Sequence, residues 1–336
     1  MLETETMKVL VVCSGNAKNF NFKTHKAFVY EQIEALKKYF DVDYTTFFIQ
    51  EKGIKGYLKY VGFLRKTVSK SHYDLLHSHY GLSGLVSVMQ RSVPVVLTLH
   101  GSDINKKKHR LLSSVARKFS NFTIFVSERM TKNFRLNNKD FIIPCGIELE
   151  NFRQMDKKEA RIRLGLKQDE KYVLFASSFC VEEKNYPLAK KSIQATNLDL
   201  ELIELKGKMR EEVNLLLNAV DLLLLTSYSE GSPQIIKEAM ACDCPIVSTD
   251  VGDVREVIGS TEGCYLTTFD PEDVAAKIKQ AFDFGQRTNG RKKIEYLDNK
   301  NIAGEIFKIY QHAILKNGLC DIKYEHTPQE NLPLAS

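Results

Sequence analysis

Two glutamates, Glu230 and Glu238, flank a Gly-Ser-Pro turn in the segment Thr226-Ser-Tyr-Ser-Glu-Gly-Ser-Pro-Gln-Ile-Ile-Lys-Glu-Ala-Met-Ala241, directly after an apolar run ending at Leu225. Ser232 is placed to cap a helix, and Pro233 suits its first position, where a missing N–H costs nothing. Gly231 lets a ligand approach the backbone without a Cβ in the way. The free amides of Gly231, Ser232, Gln234 and Ile235, with the helix dipole behind them, would suit a diphosphate. Glu238 would lie about a turn and a half into the helix, roughly 7–8 Å along its axis. Carboxylates on either side of a phosphate repel it, so these two make sense as acceptors for sugar hydroxyls. The plain alternative is a capped helix with two solvated glutamates.

Other reactive side chains are fewer. His100 follows the apolar run Val95–Leu99 and precedes Gly101, a strand-end position where the ligands of parallel sheets gather. Asp103 either orients that turn or caps the next segment, with the structural role favoured. His77 and His79 alternate along one strand face, but no carboxylate or thiol nearby in sequence supports a metal site, and none is expected. Cys145 follows Pro144 without an identifiable partner base, so it reads as a buried thiol rather than a nucleophile. Asp41-Val-Asp43 has the form of a metal-binding pair but opens a strand, the wrong end of a parallel sheet for a site. The Gly-x4-Gly-Lys-Ser/Thr loop of P-loop NTPases does not occur.

The elements that position these groups alternate. Apolar strand-sized runs at Lys8–Cys13, Tyr44–Ile49, Leu75–His77, Val95–Leu99, Thr123–Val126 and Phe141–Ile143 are separated by polar or helical stretches, the signature of βαβ units and a doubly wound sheet. Asp156–Leu164 reads as a short charged helix closed by Gly165, and the pattern then restarts. Strands at Tyr172–Ala176, Leu200–Leu205, Asp221–Thr226, Pro245–Ser248 and Cys264–Leu266 alternate with helices at 185–195, 210–219, 233–242 and 271–283. The expectation is an α/β fold of two Rossmann-like domains, 1–152 and 153–317, facing across a cleft. Ile302, Ile306, Ile309, Tyr310 and Ala313 form one stripe of a last helix. The tail 318–336, polar with two prolines, either packs back on the first domain or stays extended.

At 336 residues the chain suits two domains. Its 43% hydrophobic and 27% charged content excludes a largely disordered protein. No apolar run reaches the ~18–20 residues of a membrane span. Met1–Thr6 is polar and leads straight into a strand, and the seven cysteines contain no Cys-x-x-Cys pair; both point to the reducing cytoplasm. The net charge of +6 is unevenly held: residues 1–155 carry 24 Lys and Arg against 13 Asp and Glu, and the remainder 24 against 29. Lys55, Lys59, Arg65, Lys66 and Lys70 surround Tyr57, Leu58, Tyr60, Val61, Phe63 and Leu64, and Lys106-Lys-Lys-His-Arg110 adds a second cluster. A core helix with a solvated loop is one explanation. The other is peripheral docking on the anionic inner face of a membrane. Nucleic acid is not expected, since no recognition motif is visible.

The segment around Glu230 and Glu238 resembles the donor-binding motif of the retaining glycosyltransferases of family 4, which have the GT-B fold. The resemblance is strongest over residues 74–258. It implies that Glu230 contacts the donor sugar, Glu238 the nucleotide ribose, and His100, in its His-Gly-x-Asp turn, the reacting sugar. Lys184, in Glu183-Lys184-Asn185, matches the family's diphosphate-gripping lysine. Ser178 and Phe179 stand where the accompanying arginine is usual, so either Lys184 and the helix terminus suffice or another basic residue such as Lys206 or Arg255 substitutes. Leu205-Lys206-Gly207 resembles the loop that lies against the base, and Asp250-Val-Gly252 a loop beyond the donor site, though it reads equally as a mere turn. Ser14-Gly15-Asn16 stands where paired glycines usually approach acceptor and diphosphate, with one glycine present. Ile142–Phe152 resembles the interdomain segment, with Cys145 in place of an asparagine.

The implied function is retaining, metal-independent hexosyl transfer from a UDP- or GDP-sugar to a glycan or lipid-linked acceptor, in cell-surface polysaccharide or glycolipid synthesis. The nucleotide-sugar is a substrate, and no cofactor is called for. Glu230 and His100 would be the catalytic pair. The alternatives are a non-catalytic relative that binds nucleotide sugar or a partner enzyme, and a nucleotide-sugar epimerase.

Overall fold

The computed structural model describes residues 6–316. Its first sheet holds β1 (Met7–Ser14), β2 (Val42–Ile49), β3 (Leu75–His79), β4 (Val95–Leu99), β5 (Phe122–Phe125) and β6 (Asp140–Ile142). All pair in parallel, in the order β2-β1-β3-β4-β5-β6. The connecting helices are α1 (Phe22–His25), α2 (Ala27–Tyr39), α3 (Gly53–Lys70), α4 (Gly81–Val88) and α5 (Lys107–Phe119). β1 steps to β2 in one direction, whereas β2→β3, β3→β4 and β4→β5 step in the other. Right-handed crossovers therefore put α3, α4 and α5 on one face, opposite α2. The interior strands are buried on both faces, which is why they read as continuous apolar runs.

The second sheet repeats the design. β7 (Tyr172–Phe175), β8 (Glu201–Glu204), β9 (Leu222–Leu225), β10 (Ile246–Thr249) and β11 (Cys264–Thr267) are parallel, in the order β11-β10-β9-β7-β8. Around it lie α6 (Lys157–Leu164), α7 (Tyr186–Ala195), α8 (Arg210–Ala219), α9 (Gln234–Ala241), α10 (Val254–Ile258), α11 (Pro271–Phe284), α12 (Gly290–Lys293) and α13 (Asn299–Lys316). Asp156 caps α6 by accepting from Glu159 N–H, and Gly165 closes it at φ +68°, as the sequence indicated. Asp270 caps α11 with Pro271 in its first turn.

Two expectations need adjustment. The second unit was drawn to residue 317, but α13 crosses back to pack on α2, β3 and β4 of the first domain. Phe307 stacks on Phe40 at 4.7 Å, and the Tyr310 hydroxyl is 2.6 Å from His77 Nδ1. The apolar stripe on α13 needs a partner face, and α2 supplies it. The tail 318–336 lies outside the described residues. Lys107–Arg110, read as part of a solvated loop, instead opens α5.

Candidate functional site

The two sheets present the carboxyl ends of their strands to each other, and Gly101 and Gly231 let them touch, with Gly252 packed behind Gly231. A Cβ on Gly231 would collide with the His100 carbonyl. One on Gly101 would fall 2.6 Å from Gly231 Cα, and one on Gly252 2.6 Å from the Gly231 carbonyl oxygen. Gly101 and Gly252 also hold φ of +105° and +59°, which L side chains resist. The predicted His100 turn and Glu230 turn are thus one junction, and the Asp250-Val-Gly252 loop, read equally as a mere turn, completes it.

α9 begins at Gln234, one residue later than expected, with Pro233 as an extended N-cap. Ser232 is not the cap. Its hydroxyl donates to Asp253 Oδ2 at 2.6 Å and receives Lys237 Nζ at 2.6 Å. The cause is Lys237, which is fully buried and must find acceptors; it also donates to the Cys145 carbonyl at 2.6 Å. Gln234 Nε2 donates to the Gly146 carbonyl at 2.8 Å, so two bonds staple the N-terminus of α9 to the interdomain segment. Ile235 is buried behind it.

Lys184 ends a short turn after β7, and its Nζ donates to Glu230 Oε1 at 2.6 Å. Thr226 Oγ1 reaches the carbonyls of Lys184 and Asn185 at 3.0 and 3.1 Å, fixing the two loops together. Glu238 is buried and pairs with Arg210, whose Nε and Nη2 also grip both oxygens of Glu31 on α2 at 2.7 Å. Burial pushes the Glu238 carboxyl up, against the pull of Arg210.

His100 lies in a cage on the first domain. Its Nε2 is 3.0 Å from His79 Nδ1, and its ring packs against Phe28 at 4.9 Å and Tyr80 at 4.7 Å. Burial drives His79 and His100 well below the ordinary histidine range and His77 to about 3, so all three are neutral at pH 7. Asp103 takes the structural role: it accepts from the amides of Gly101 (2.9 Å), His100 (3.1 Å) and Gly81 (3.1 Å). Burial raises its carboxyl to about 6. Cys145 is a buried thiol whose Sγ lies 3.9 Å from His100 Nδ1, a partner the sequence did not reveal, and burial pushes it up to about 11. His77 contacts Tyr310 and Thr98 (2.7 Å).

The structure thus gathers Lys184, Glu230, Gly231 and His100. Gly15 and Asn16 are tied to the end of β2 instead, through Gly15 N–H to Ile49 and Asn16 Nδ2 to Glu51; Phe48 leaves no space for a Cβ at Gly15. Lys206 and Gly207 stand in the exposed loop after β8, Gly207 at φ +65°. Where the family arginine is absent, Ser178 Oγ and Phe179 N–H both donate to Glu204 at 2.7 Å. Arg255 is committed to Asp250, which Arg129 also grips from the first domain.

Four charged residues of the cleft escaped the sequence: Lys26, Glu31, Arg210 and Lys237. Lys26 lies 4.1 Å over the Tyr80 ring, near Asp103 and Cys13, and burial lowers its pKa. Their partners are distant in sequence, so no local spacing marks them; Lys237 alone offered a signal, a lysine inside an otherwise apolar helix face.

Residues 5–151 match the family model described as Glycosyltransferase Family 4, and residues 172–283 the one described as Glycosyl transferases group 1. A Bacillus subtilis (strain 168) glycosyltransferase, provisionally assigned to teichuronic acid biosynthesis, is 30% identical over 215 residues, 55% of either chain. A D-inositol 3-phosphate glycosyltransferase of Mycobacterium marinum is 26% identical over 258 residues, 62% of this chain and 55% of its own. The match therefore spans only about half the length of these relatives. Among solved structures, sucrose-phosphate synthase from Thermosynechococcus elongatus superposes with a TM-score of 0.78 at 17% identity, covering 92% of this chain and 100% of that one. Anabaena HepE, solved with UDP and glucose, gives 0.66 at 18% identity, covering 93% and 99%. At such identities the likeness establishes the two-domain GT-B architecture.

Proposed function

Because the chain belongs to the family-4 type of glycosyltransferases, we propose that it moves a hexosyl group from a nucleotide diphosphate-sugar to an acceptor hydroxyl with retention of configuration. The observation that carries this reading is the junction of Gly101, Gly231 and Gly252, which sets Lys184 and Glu230 of the second domain beside the His100 turn of the first. The N-terminal amides and dipole of α9 with Lys184 would stabilise the departing diphosphate. Glu230 and His100 would orient the donor sugar, and Glu238 would accept from the ribose. Both His100 and Cys145 are poor candidates for a covalent intermediate, the one neutral and caged, the other a buried thiol. Same-face attack, with the leaving phosphate taking the acceptor's proton, is the route these residues favour, and it asks for no metal.

The donor reading is supported by structural neighbours solved with UDP and with UDP-glucose. A place in cell-surface polysaccharide or glycolipid synthesis is supported by the Bacillus relative, and the basic half suits a lipid-linked acceptor at the cytoplasmic membrane face. One observation favours a second reading, binding of nucleotide sugar without turnover: Ser178 and Phe179 offer the diphosphate no cation, and both turn to Glu204. Calorimetry with UDP, GDP and ADP, followed by donor hydrolysis and transfer to lipid-linked acceptors, separates the two. Turnover on any donor supports the transferase; binding across the panel without turnover supports the inert relative.

A further inference from the structure

The outer layer of the first domain is apolar and basic together. From Lys52 to Ser127 the chain has 13 Lys and Arg but only two acidic residues, Asp74 and Asp103. Neither lies on a helix: Asp103 is buried under the His100 turn, and Asp74, half-buried just before β3, accepts from Lys8 N–H and meets His72 at 3.2 Å. α3, α4 and α5, which this stretch forms, therefore present no acidic side chain on their outer face. α3 packs on α4 and α4 on α5, and Arg65 of α3 donates to the Met89 carbonyl at the end of α4 at 2.7 Å.

The sequence drew attention to α3, but its Tyr57, Leu64 and Val68 are buried in the core, leaving Leu58 and Phe63 outside. α5 is the stronger surface element. Leu111, Val115 and Phe119, four residues apart, are 68%, 39% and 60% exposed, whereas Ser113 and Ala116 face inward. At 100° per residue, Lys107, Lys108 and Lys118 fall within about 60° of Leu111. Their positions interleave with the apolar stripe, and among the described residues no carboxylate pairs with them. Lysine stems beside exposed leucine and phenylalanine suit an interface whose edge is apolar and whose surface is anionic.

We propose that α5, on the same face of the sheet as α3 with α4 between them, docks the protein on an anionic lipid surface, with Leu111, Val115 and Phe119 entering the interface and Lys107, Lys108 and Lys118 meeting the headgroup phosphates. Charge complementarity argues for this occupant: α3 and α5 carry no acidic side chain with which a second copy could meet these lysines, and Glu51, just before α3, is taken by Lys59. No helix of the described residues is long and apolar enough to cross a membrane, so the contact is peripheral. The N-terminus of α5 follows the His100 turn by one helical turn of chain, and Lys106 and Asn105 bridge to Glu183 and Ser229 of the donor domain. A lipid-borne acceptor would thereby arrive at the cleft. That purpose rests on the transferase reading, whereas the docking itself does not.

The chain has no tryptophan, so Phe119→Trp introduces a single reporter on the stripe. Its emission should shift to the blue on vesicles of phosphatidylcholine mixed with phosphatidylglycerol and stay unshifted on phosphatidylcholine alone. In co-sedimentation, Leu111→Ser/Val115→Ser/Phe119→Ser and Lys107→Glu/Lys108→Glu/Lys118→Glu should each lower partitioning about tenfold or more, with calorimetric nucleotide binding unchanged. An unshifted reporter on anionic vesicles, or wild-type partitioning by the serine triple variant, overturns the proposal. So does single-stranded RNA that binds more tightly than the vesicles and displaces them. Docking without turnover on any donor removes the transferase reading alone; turnover on a soluble acceptor without docking removes this one alone.

Discussion

Lys184 Nζ donates to Glu230 Oε1 at 2.6 Å, so the cation suited to a diphosphate and the carboxylate suited to a sugar neutralise each other. Both side chains are mostly buried, and a donor that separates them must give each a new partner. The diphosphate can take Lys184, and sugar hydroxyls can donate to Glu230. A ligand that carries both groups is therefore the one that can replace this pair without loss.

Glu230→Gln and Lys184→Ala should accordingly part company. The glutamine variant frees Lys184 and removes a negative charge from beside the phosphate, so nucleoside diphosphate affinity is retained or improved while turnover falls about 100-fold or more. The alanine variant loses a charge-assisted bond of ~1.5–3 kcal/mol, so nucleotide affinity itself falls about tenfold or more. Calorimetry and donor hydrolysis on the two proteins decide it; equal loss of nucleotide affinity in both would count against the assignment.

Arg210 holds two carboxylates from two domains, Glu238 of α9 and Glu31 of α2. Arg210→Ala would leave both without their cation in a buried place, and a loss of about 3–5 kcal/mol in urea unfolding is expected. Glu31→Gln keeps the fold with a smaller loss and loosens the bridge between domains. Glu238→Ala should cost about tenfold in nucleotide affinity through the ribose. A fully stable Arg210→Ala protein would show the triad to be dispensable.

Much of this was legible because the patterns are local. β4 and α8 lie where the apolar runs and helical spacing put them, and the α6 caps are set by residues within one helix. The Glu230 and His100 turns were found from strand-end position and motif. What stayed hidden depends on distant partners. Nothing near Arg210 announces Glu31, 179 residues away, and Ser232 looked like a cap because its competitor, the Lys237 ammonium, becomes visible only once burial is known. The same limit explains α5, where the charges were apparent but the exposure of Leu111 and Phe119 depends on how α4 covers the helix.

Acid should destabilise the protein from an early pH. His77, His79 and His100 are held below their ordinary values by burial, so the unfolded chain binds more protons and stability is lost as pH falls through about 6.5. Each contributes up to about 2 kcal/mol of loss by pH 5. Asp103 opposes them: its carboxyl is raised to about 6, so its share of stability is present at low pH and lost as pH rises from about 4 to 6. Three protons against one leave a net loss on acidification. Melting temperature against pH should steepen below 6.5, His77→Asn should remove about one proton from that slope, and Asp103→Asn should make it steeper. The buried His79 Nε2 has no hydrogen-bond partner among the described residues, which favours His79 Nδ1–H donating to His100 Nε2, since orphaned buried N–H groups are rare. Nitrogen NMR at pH 7 should then show His100 protonated on Nδ1. A titration of His100 near 6.5 would contradict the cage.

Lys237 is buried without exposure and faces Ser232, the Cys145 carbonyl and, at 3.5 Å, Asp253. Replacing it by methionine preserves volume but leaves the Asp253 carboxylate, also buried, without a cation. A loss of about 3–5 kcal/mol is expected for Lys237→Met. Lys237→Met/Asp253→Asn removes both charges and should regain a good part of it, because the unpaired charge rather than the missing bond carries most of the loss. Nucleotide affinity should behave differently. The double variant keeps the Gln234 bond to Gly146 but still lacks the Lys237 bond to Cys145, so the α9 amides are less firmly placed and affinity stays low although stability has returned. Urea unfolding with calorimetry on the same three proteins separates the effects. Recovery of both together would mean that Lys237 stabilises the fold without positioning the donor site.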